Sequence, residues 1–330
     1  MKVFLGLLAF TLIATNININ CKPYRGSSRI RWKNIPSYIP RYAPTNPFPE
    51  EEYGPQGRII GGVDATDGQV SYQLYLKGKV HKNNAIYYCG AAIIDEYNVQ
   101  FALTAAHCVY DDWPARFSTV NPKNVRLTAG EIDLKVKSGR EQYRTPHRIV
   151  MHELFQNDQA HPFYDIAIIF YRKPFTINYY VQPIPLPDYM WEQPKRVRIS
   201  GYGSTTRYPN FNDAEKLQVA DERTIDNYYC GNYFKYNYTT QIHPIVDWTQ
   251  ICLLEEGRHV GFCIGDSGSP ATTWNQSAGK YYIAGIGSAY LGDCGDGRWP
   301  AIYTRVSAYT DWIRHQVSEY IRLHLAVLGG

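Results

Sequence analysis

No stretch of the 330-residue chain approaches the roughly 18 consecutive apolar residues that a membrane-crossing helix needs. The last apolar run, Leu323–Leu328, is far too short. The body also lacks a surplus of charge. Although the whole chain carries a formal net charge of +4, residues 59–330 hold 26 Lys/Arg against 27 Asp/Glu. A near-neutral body gives no electrostatic footing for a nucleic acid or another polyanion. None of the seven cysteines is spaced as CxxC, which removes the usual zinc cluster. There is no fixed repeat period and no βαβ alternation, so solenoids and doubly wound sheets are excluded.

Hydrophobic residues at 44% and charged residues at 19% describe a chain that folds. Lys2 precedes the apolar run Val3–Ala14, the pattern of a secretory signal peptide. Residues 1–20 are assigned to it, although Ala14-Thr15-Asn16 is an imperfect small-residue cleavage site. Residues 21–58 hold seven of the 20 prolines and seven Lys/Arg against three Glu, without apolar periodicity. Such a segment buries too little surface to offset its chain entropy and reads as a pro-segment. It ends at Gly57-Arg58, ahead of Ile59-Ile60-Gly61-Gly62, and a basic residue at the edge of a flexible stretch invites limited proteolysis. Residues 59–330 form the body. In an exported chain seven cysteines imply disulfides with one left over. Cys89, Cys108, Cys230, Cys252, Cys263 and Cys294 lie in the body and Cys21 stands alone in the leader; the pairing is open at this point.

From residue 59 onward short β-prone runs alternate with turns: Ser71–Leu76, Ala91–Ile94, Ile166–Tyr171, Arg196–Ser200, Tyr281–Ile286 and Ala301–Val306. Their β-branched and aromatic content, broken by Gly, Pro, Asn and Asp, predicts an all-β antiparallel sandwich or barrel. A terminal helix is expected from about Ser307, with Trp312, Gln316, Val317, Tyr320 and Ile321 near one face. The 29 tyrosines show no repeat and are read as half-buried strand and surface positions. Sequons at Asn237-Tyr238-Thr239 and Asn275-Gln276-Ser277 make Asn237 and Asn275 glycosylation candidates if their loops are exposed.

Three segments bear chemistry together: Leu103-Thr104-Ala105-Ala106-His107-Cys108, Tyr164-Asp165-Ile166-Ala167-Ile168-Ile169, and Cys263-Ile264-Gly265-Asp266-Ser267-Gly268-Ser269-Pro270. With the Ile59-Ile60-Gly61-Gly62 start, the body resembles the chymotrypsin/trypsin-like serine proteases over about residues 59–320. Cys89-Gly90-Ala91, Ser200-Gly201-Tyr202-Gly203 and Pro300-Ala301-Ile302-Tyr303-Thr304-Arg305-Val306 support the match. An α/β-hydrolase elbow is excluded. Ser269 stands where a Gly-x-Ser-x-Gly frame needs glycine, and the order here is His, Asp, Ser rather than Ser, Asp, His.

The resemblance implies two packed six-stranded β-barrels with His107, Asp165 and Ser267 between them as the catalytic triad. Ser267 needs a base because a hydroxyl is a poor nucleophile at its own pKa, and His107 is that base. Asp165 fixes the His tautomer, with Ser288 donating to it, and the backbone N–H groups of Gly265 and Ser267 form the oxyanion hole. Cleavage after Arg58 frees the Ile59 α-amino group to bury against Asp266, so the chain is expected to be a zymogen opened by an upstream trypsin-like enzyme. The implied disulfides are Cys89–Cys108, Cys230–Cys252 and Cys263–Cys294. The implied partners are polypeptide substrates, that activating protease and protein protease inhibitors. No cofactor, nucleic acid or membrane is called for, and the location is extracellular.

The primary pocket departs from the family pattern. Its floor position is Gly261 rather than Asp, so nothing there pairs a buried cation. Phe262 replaces a small residue on the wall, Ser288-Ala289-Tyr290 stands where Ser-Trp-Gly is usual, and Ala301 replaces a common Gly. The expectation is a restricted, non-tryptic pocket favouring small or apolar side chains. Ser269 in place of Gly is tolerable unless a positive φ is needed there. Glu131 and Glu141 stand at the spacing of a calcium loop, but Lys135, Lys137 and Arg140 lie between them. Calcium takes about six to eight oxygens, so no metal is assigned. The competing class is a catalytically weak protease-like binding or regulatory protein of a secreted cascade. Such homologues usually lose the triad, which is intact here.

Overall fold

A computed structural model of the chain describes residues 59–328, apart from 82–83, 112–117, 156–162, 189–191, 205–213, 238–247, 291–293 and 296. The expectations for the signal peptide, the pro-segment, Arg58 and Cys21 lie outside the described residues.

The body is mostly β. One seven-stranded antiparallel sheet runs in the order Gln142–Arg144, Arg126–Ala129, Gln73–Lys79, Ile86–Glu96, Val99–Thr104, Ala167–Phe170, Arg148–Met151. It curls, but among the described residues its two edge strands do not pair with each other. Pro146, which lies between them, has no N–H to offer a ladder. The second sheet runs Val63–Asp64, Gln218–Ile225, Arg196–Gly201, Pro270–Asn275, Lys280–Tyr290, Ala301–Arg305, Gln250–Leu253. Here Gln218–Ile225 also pairs with Gln250–Leu253, through Thr224↔Leu253 and Ile225↔Cys252, which closes six strands into a barrel. One barrel therefore closes, and its counterpart is a curled half-barrel.

The strands form where the sequence carries apolar and β-branched runs. Val99–Thr104 and Ala167–Phe170 are buried along nearly their whole length, and Phe101 meets Phe170 with ring centroids 5.9 Å apart. The two sheets are stitched by buried polar contacts. Tyr72 Oη lies 2.9 Å from Thr272 Oγ1, Ser200 donates to Gln73 Oε1 at 2.7 Å, and Gln73 Nε2 donates to Ser269 Oγ at 3.3 Å. Ser269 thus belongs to the seam, and its φ is not positive, so the missing glycine costs nothing.

The C-terminal helix spans Thr310–Leu328, after a 3-10 turn at Val306–Ala308. Ile313 and Val317 are fully buried, and Tyr320 stacks on Phe170 at 4.1 Å. A second helix, Asn227–Asn237, has no counterpart in the sequence reading. Its Tyr- and Asn-rich sequence is a poor helix former. Two local devices hold it: Asp226 Oδ1 accepts from Tyr228 N at 2.8 Å, and Cys230 is bonded to Cys252. All three implied disulfides form. Asn275 ends a strand in a tight turn, its Oδ1 accepting from Ala278 N at 3.0 Å, while the residues after Asn237 lie outside the described set. Among the described residues no helix is long and apolar enough to cross a membrane.

Candidate active site

Strand register brings His107 and Asp165 together. Ala167 pairs with Thr104, and continuing that antiparallel register two residues past the ladder sets Asp165 opposite Ala106, beside His107. Tyr164 makes the turn into the strand at φ 54, a conformation uncommon outside glycine. Its ring stacks on His152 at 5.0 Å, which holds it there.

Asp165 is completely buried yet well bonded. Its Oδ1 accepts the backbone N–H of His107 at 2.9 Å, and its Oδ2 lies 2.7 Å from His107 Nδ1. Ser288 Oγ donates to the same Oδ2 at 2.6 Å, and Thr304 Oγ1 donates to the Asp165 carbonyl at 2.8 Å. Because a carboxylate only accepts, Nδ1 carries the proton, and in the neutral ring Nε2 keeps its lone pair. The His107 side chain is 26% exposed. Burial works against its charged form, but the charge and hydrogen bond of Asp165 outweigh this and raise its pKa above the ordinary value. The arrangement is an imidazole ready to take a proton and pre-set to be stabilised once it has done so.

Ser267 sits on the turn that joins the two sheets. Its carbonyl accepts Gly90 N at 2.7 Å, and Gly90 follows Cys89, which is bonded to Cys108, the neighbour of His107. On its other side Gly268 N donates to Gly287 O at 2.8 Å. Gly268 has φ 78, and a Cβ there would stand 2.5 Å from Gly90 O, so the turn tolerates only glycine. Gly265, with φ 94, carries one of the two expected oxyanion N–H groups. Cys89, His107 and Cys108 also cluster at metal-ligand range, but both sulfurs are committed to a disulfide.

Asp266 is turned into the protein interior. It is 2% exposed and accepts Gly203 N at 2.7 Å and Cys263 N at 3.1 Å. Burial pushes its pKa up to about 7 against the pull of those two bonds. A Cβ at Gly201 or Gly203 would collide with this carboxyl, which explains the Gly-Tyr-Gly triplet. Ile59 is 1% exposed, in one hydrophobic cluster with Val197, Ile199, Ala220 and Phe262.

In the expected primary pocket, Gly261 N donates to Ile60 O at 3.0 Å. Phe262 is 2% exposed, with ring centroids 5.8 Å from Tyr290 and 5.6 Å from Tyr303. Its ring lies against Gly287, where a Cβ would come within 2.5 Å of it. Ala301 and Ser288 are buried beside this group and Tyr290 is half-buried. In the loop weighed for calcium, Glu141 is engaged by Ser138 N, Ser138 Oγ and Gly139 N, while burial and the Glu141 charge push Glu131 up to about 7.

The sequence reading missed two residues of this region. Thr304, which holds the Asp165 backbone, stands in the Pro300–Val306 segment, but its strand lies 139 positions away and nothing local assigns it this role. Glu222 left a usable signal. On Gln218–Ile225 it shares the face of Ala220, a core residue, and it is 1% exposed.

A closed β-barrel against a curled sheet, with Ser, His and a buried Asp at the seam, is the architecture of a chymotrypsin-class serine protease. The family model described as Trypsin matches residues 59–313, and the chain belongs to that family, whose members are serine endopeptidases. It is 32% identical over 260 residues to trypsin-1 of Astacus astacus, covering 78% of this chain and 98% of that protein. It is 30% identical over 282 residues to chymotrypsin-like elastase family member 1 of Macaca fascicularis, covering 83% and 94%. It is 31% identical over 278 residues to phenoloxidase-activating factor 3 of Holotrichia diomphalia, covering 79% and 72%.

Proposed function

We propose that the chain is a secreted serine endopeptidase made as a zymogen, in which His107, Asp165 and Ser267 perform acyl transfer. The observation that carries this reading is the fully buried Asp165, whose carboxylate grips His107 at both backbone and ring. Ser267 Oγ attacks the peptide carbonyl while its proton passes to His107 Nε2. The N–H groups of Gly265 and Ser267 receive the oxyanion, an interaction worth about 3–4 kcal/mol per donor. The C–N bond then breaks, and His107 returns the proton to the leaving amine. Water, deprotonated by the same imidazole, hydrolyses the acyl-enzyme and restores Ser267.

Secretion and latency rest on the leader. The apolar segment in residues 1–20 directs export, and cleavage after Arg58 by a trypsin-like enzyme frees the Ile59 amino group. Asp266, buried and, among the described residues, met by the backbone donors Gly203 N and Cys263 N, is suited to receive that ammonium. Polypeptides are the substrates, and protein inhibitors of the class are expected partners. Phe262 and Tyr290 restrict the primary pocket.

The test is the intact mass of the protein, before and after cleavage at Arg58, following exposure to a fluorophosphonate. A single adduct on the cut form, absent from the uncut form and from Ser267→Ala, is expected. No adduct on correctly cut protein would sink the enzyme reading and favour a binding or regulatory protein, a role that the filled pocket suits.

A further inference from the structure

Beside the floor residue Gly261 the barrel turns one acidic side chain inward. Glu222 is 1% exposed, and its Oε1 has no hydrogen-bond partner among the described residues. A Cβ at Gly261 would stand only 3.5 Å from that oxygen. The carboxyl therefore borders the position that a floor side chain would take, and with glycine there no side chain stands between that position and Glu222. Gly261 adopts φ +151 and is held by its bond to Ile60 O, so the bare floor position is a fixed feature of the backbone.

The charges around Glu222 do not balance. The groups acting on it are Glu255 and Asp266, both acidic. Glu255 has a cation in Arg223, at 3.4 Å. Asp266 receives the Ile59 ammonium on the reading above. On that reading two of the three acids have cations from the chain itself, and Glu222 has none among the described residues. Burial and the two like charges push its pKa up to about 8. A buried carboxyl left without a partner bears its full desolvation cost, which a cationic ligand would offset.

We propose that Glu222 is the specificity-determining carboxyl of the primary pocket, and that its ligand is the ammonium or guanidinium of a Lys or Arg side chain preceding the cleaved bond. This rests on the protease reading above, and it replaces the small or apolar preference expected from Gly261 alone. The acid comes from the neighbouring strand Gln218–Ile225 instead of from the floor position. The rings of Phe262, Tyr290 and Tyr303 supply apolar faces for the aliphatic stem and a favourable path for the cation. Phe262, being buried, must turn aside to admit it.

The test uses the protein cut after Arg58. Benzamidinium, a small aromatic cation, is titrated calorimetrically in buffers of different ionisation heat. Peptides with Lys, Arg, Ala, Val or Leu before the cleaved bond are compared in parallel. Expected are benzamidinium binding with proton release near neutral pH and a preference of at least about tenfold for Lys or Arg peptides. Glu222→Gln should weaken benzamidinium and the basic peptides by about tenfold or more while changing the apolar peptides less than about threefold. Should Glu222→Gln fail to fold, Glu222→Asp keeps the charge but withdraws it by one methylene, and is expected to shift preference toward the longer Arg. Equal benzamidinium affinity in wild type and Glu222→Gln, no binding to the wild type, or an apolar preference in an enzyme that takes the fluorophosphonate would each overturn the proposal. Glu222-dependent benzamidinium binding by a protein that takes no fluorophosphonate would leave the cation site standing and remove the protease.

Discussion

Replacing Asp266 by Asn should change stability in opposite directions in the uncut and cut chains. In the uncut chain the carboxyl is buried with two backbone donors, and its pKa is pushed up to about 7. Below about pH 4 both the folded and unfolded carboxyl are protonated, and the stability associated with this group is fully present. As pH rises the unfolded carboxyl ionises first, so that stability falls, and the loss is complete above about pH 7. A displacement of about 3 pH units corresponds to about 4 kcal/mol. Asparagine avoids the charge. Its oxygen can accept from Gly203 N, but its NH₂ then faces the N–H of Cys263, at a cost of about 1–3 kcal/mol.

At pH 8 the uncut Asp266→Asn protein should therefore be more stable by about 1–3 kcal/mol, a few degrees in Tm at about 2–4 °C per kcal/mol. At pH 5 the advantage should be largely gone. Glu222 titrates nearby and adds a downward slope of its own. That slope is smaller in Asp266→Asn because one of the two like charges acting on Glu222 is gone, which adds to the advantage of the variant at pH 8. In the cut chain the sign reverses, because Asn leaves the Ile59 ammonium buried without its counter-charge, at about 3–5 kcal/mol. Scanning calorimetry on a Ser267→Ala background, which prevents self-digestion, between pH 5 and 8.5 reads both effects. A destabilisation of similar size in both forms, or a gain in the uncut form that does not change with pH, would refute the reasoning.

Ser288→Ala removes a 2.6 Å donor from the buried Asp165 carboxylate and should cost about 1.5–3 kcal/mol, lowering kcat/KM by about tenfold or more; steady-state kinetics check this. Hydrolysis requires neutral His107, whose pKa Asp165 holds above the ordinary value despite burial, so kcat/KM should rise with pH through that value. A profile flat from pH 6 to 8 would contradict it. Gly268→Ala sets a Cβ against Gly90 O at a positive φ and should destabilise by more than about 3 kcal/mol, read by denaturant unfolding.

What was legible in the sequence follows from how locally each feature is determined. His107, Asp165 and Ser267 stand in short segments whose neighbours do the positioning, by the Thr104–Ala167 register and a turn that only glycine permits. The strands could be read because β-branched and apolar runs mark them, though the closure of only one barrel could not, since it depends on pairings between distant edges. The helix Asn227–Asn237 escaped notice because Tyr and Asn argue against it, and a disulfide with an Asp cap decides in its favour. Glu222 is the most instructive case. Glu222 stands in the charged run Asp221-Glu222-Arg223, which is ordinarily assigned to solvent, yet period-two alternation from Ala220 turns it inward. What makes it chemically pointed is a glycine 39 positions later, whose missing side chain leaves the carboxyl at the pocket floor. Residue identity at the expected position indicated no acid. Around Glu222, with Arg223 on Glu255 and Asp266 reserved for the proposed Ile59 ammonium, no cation among the described residues is left for this carboxyl.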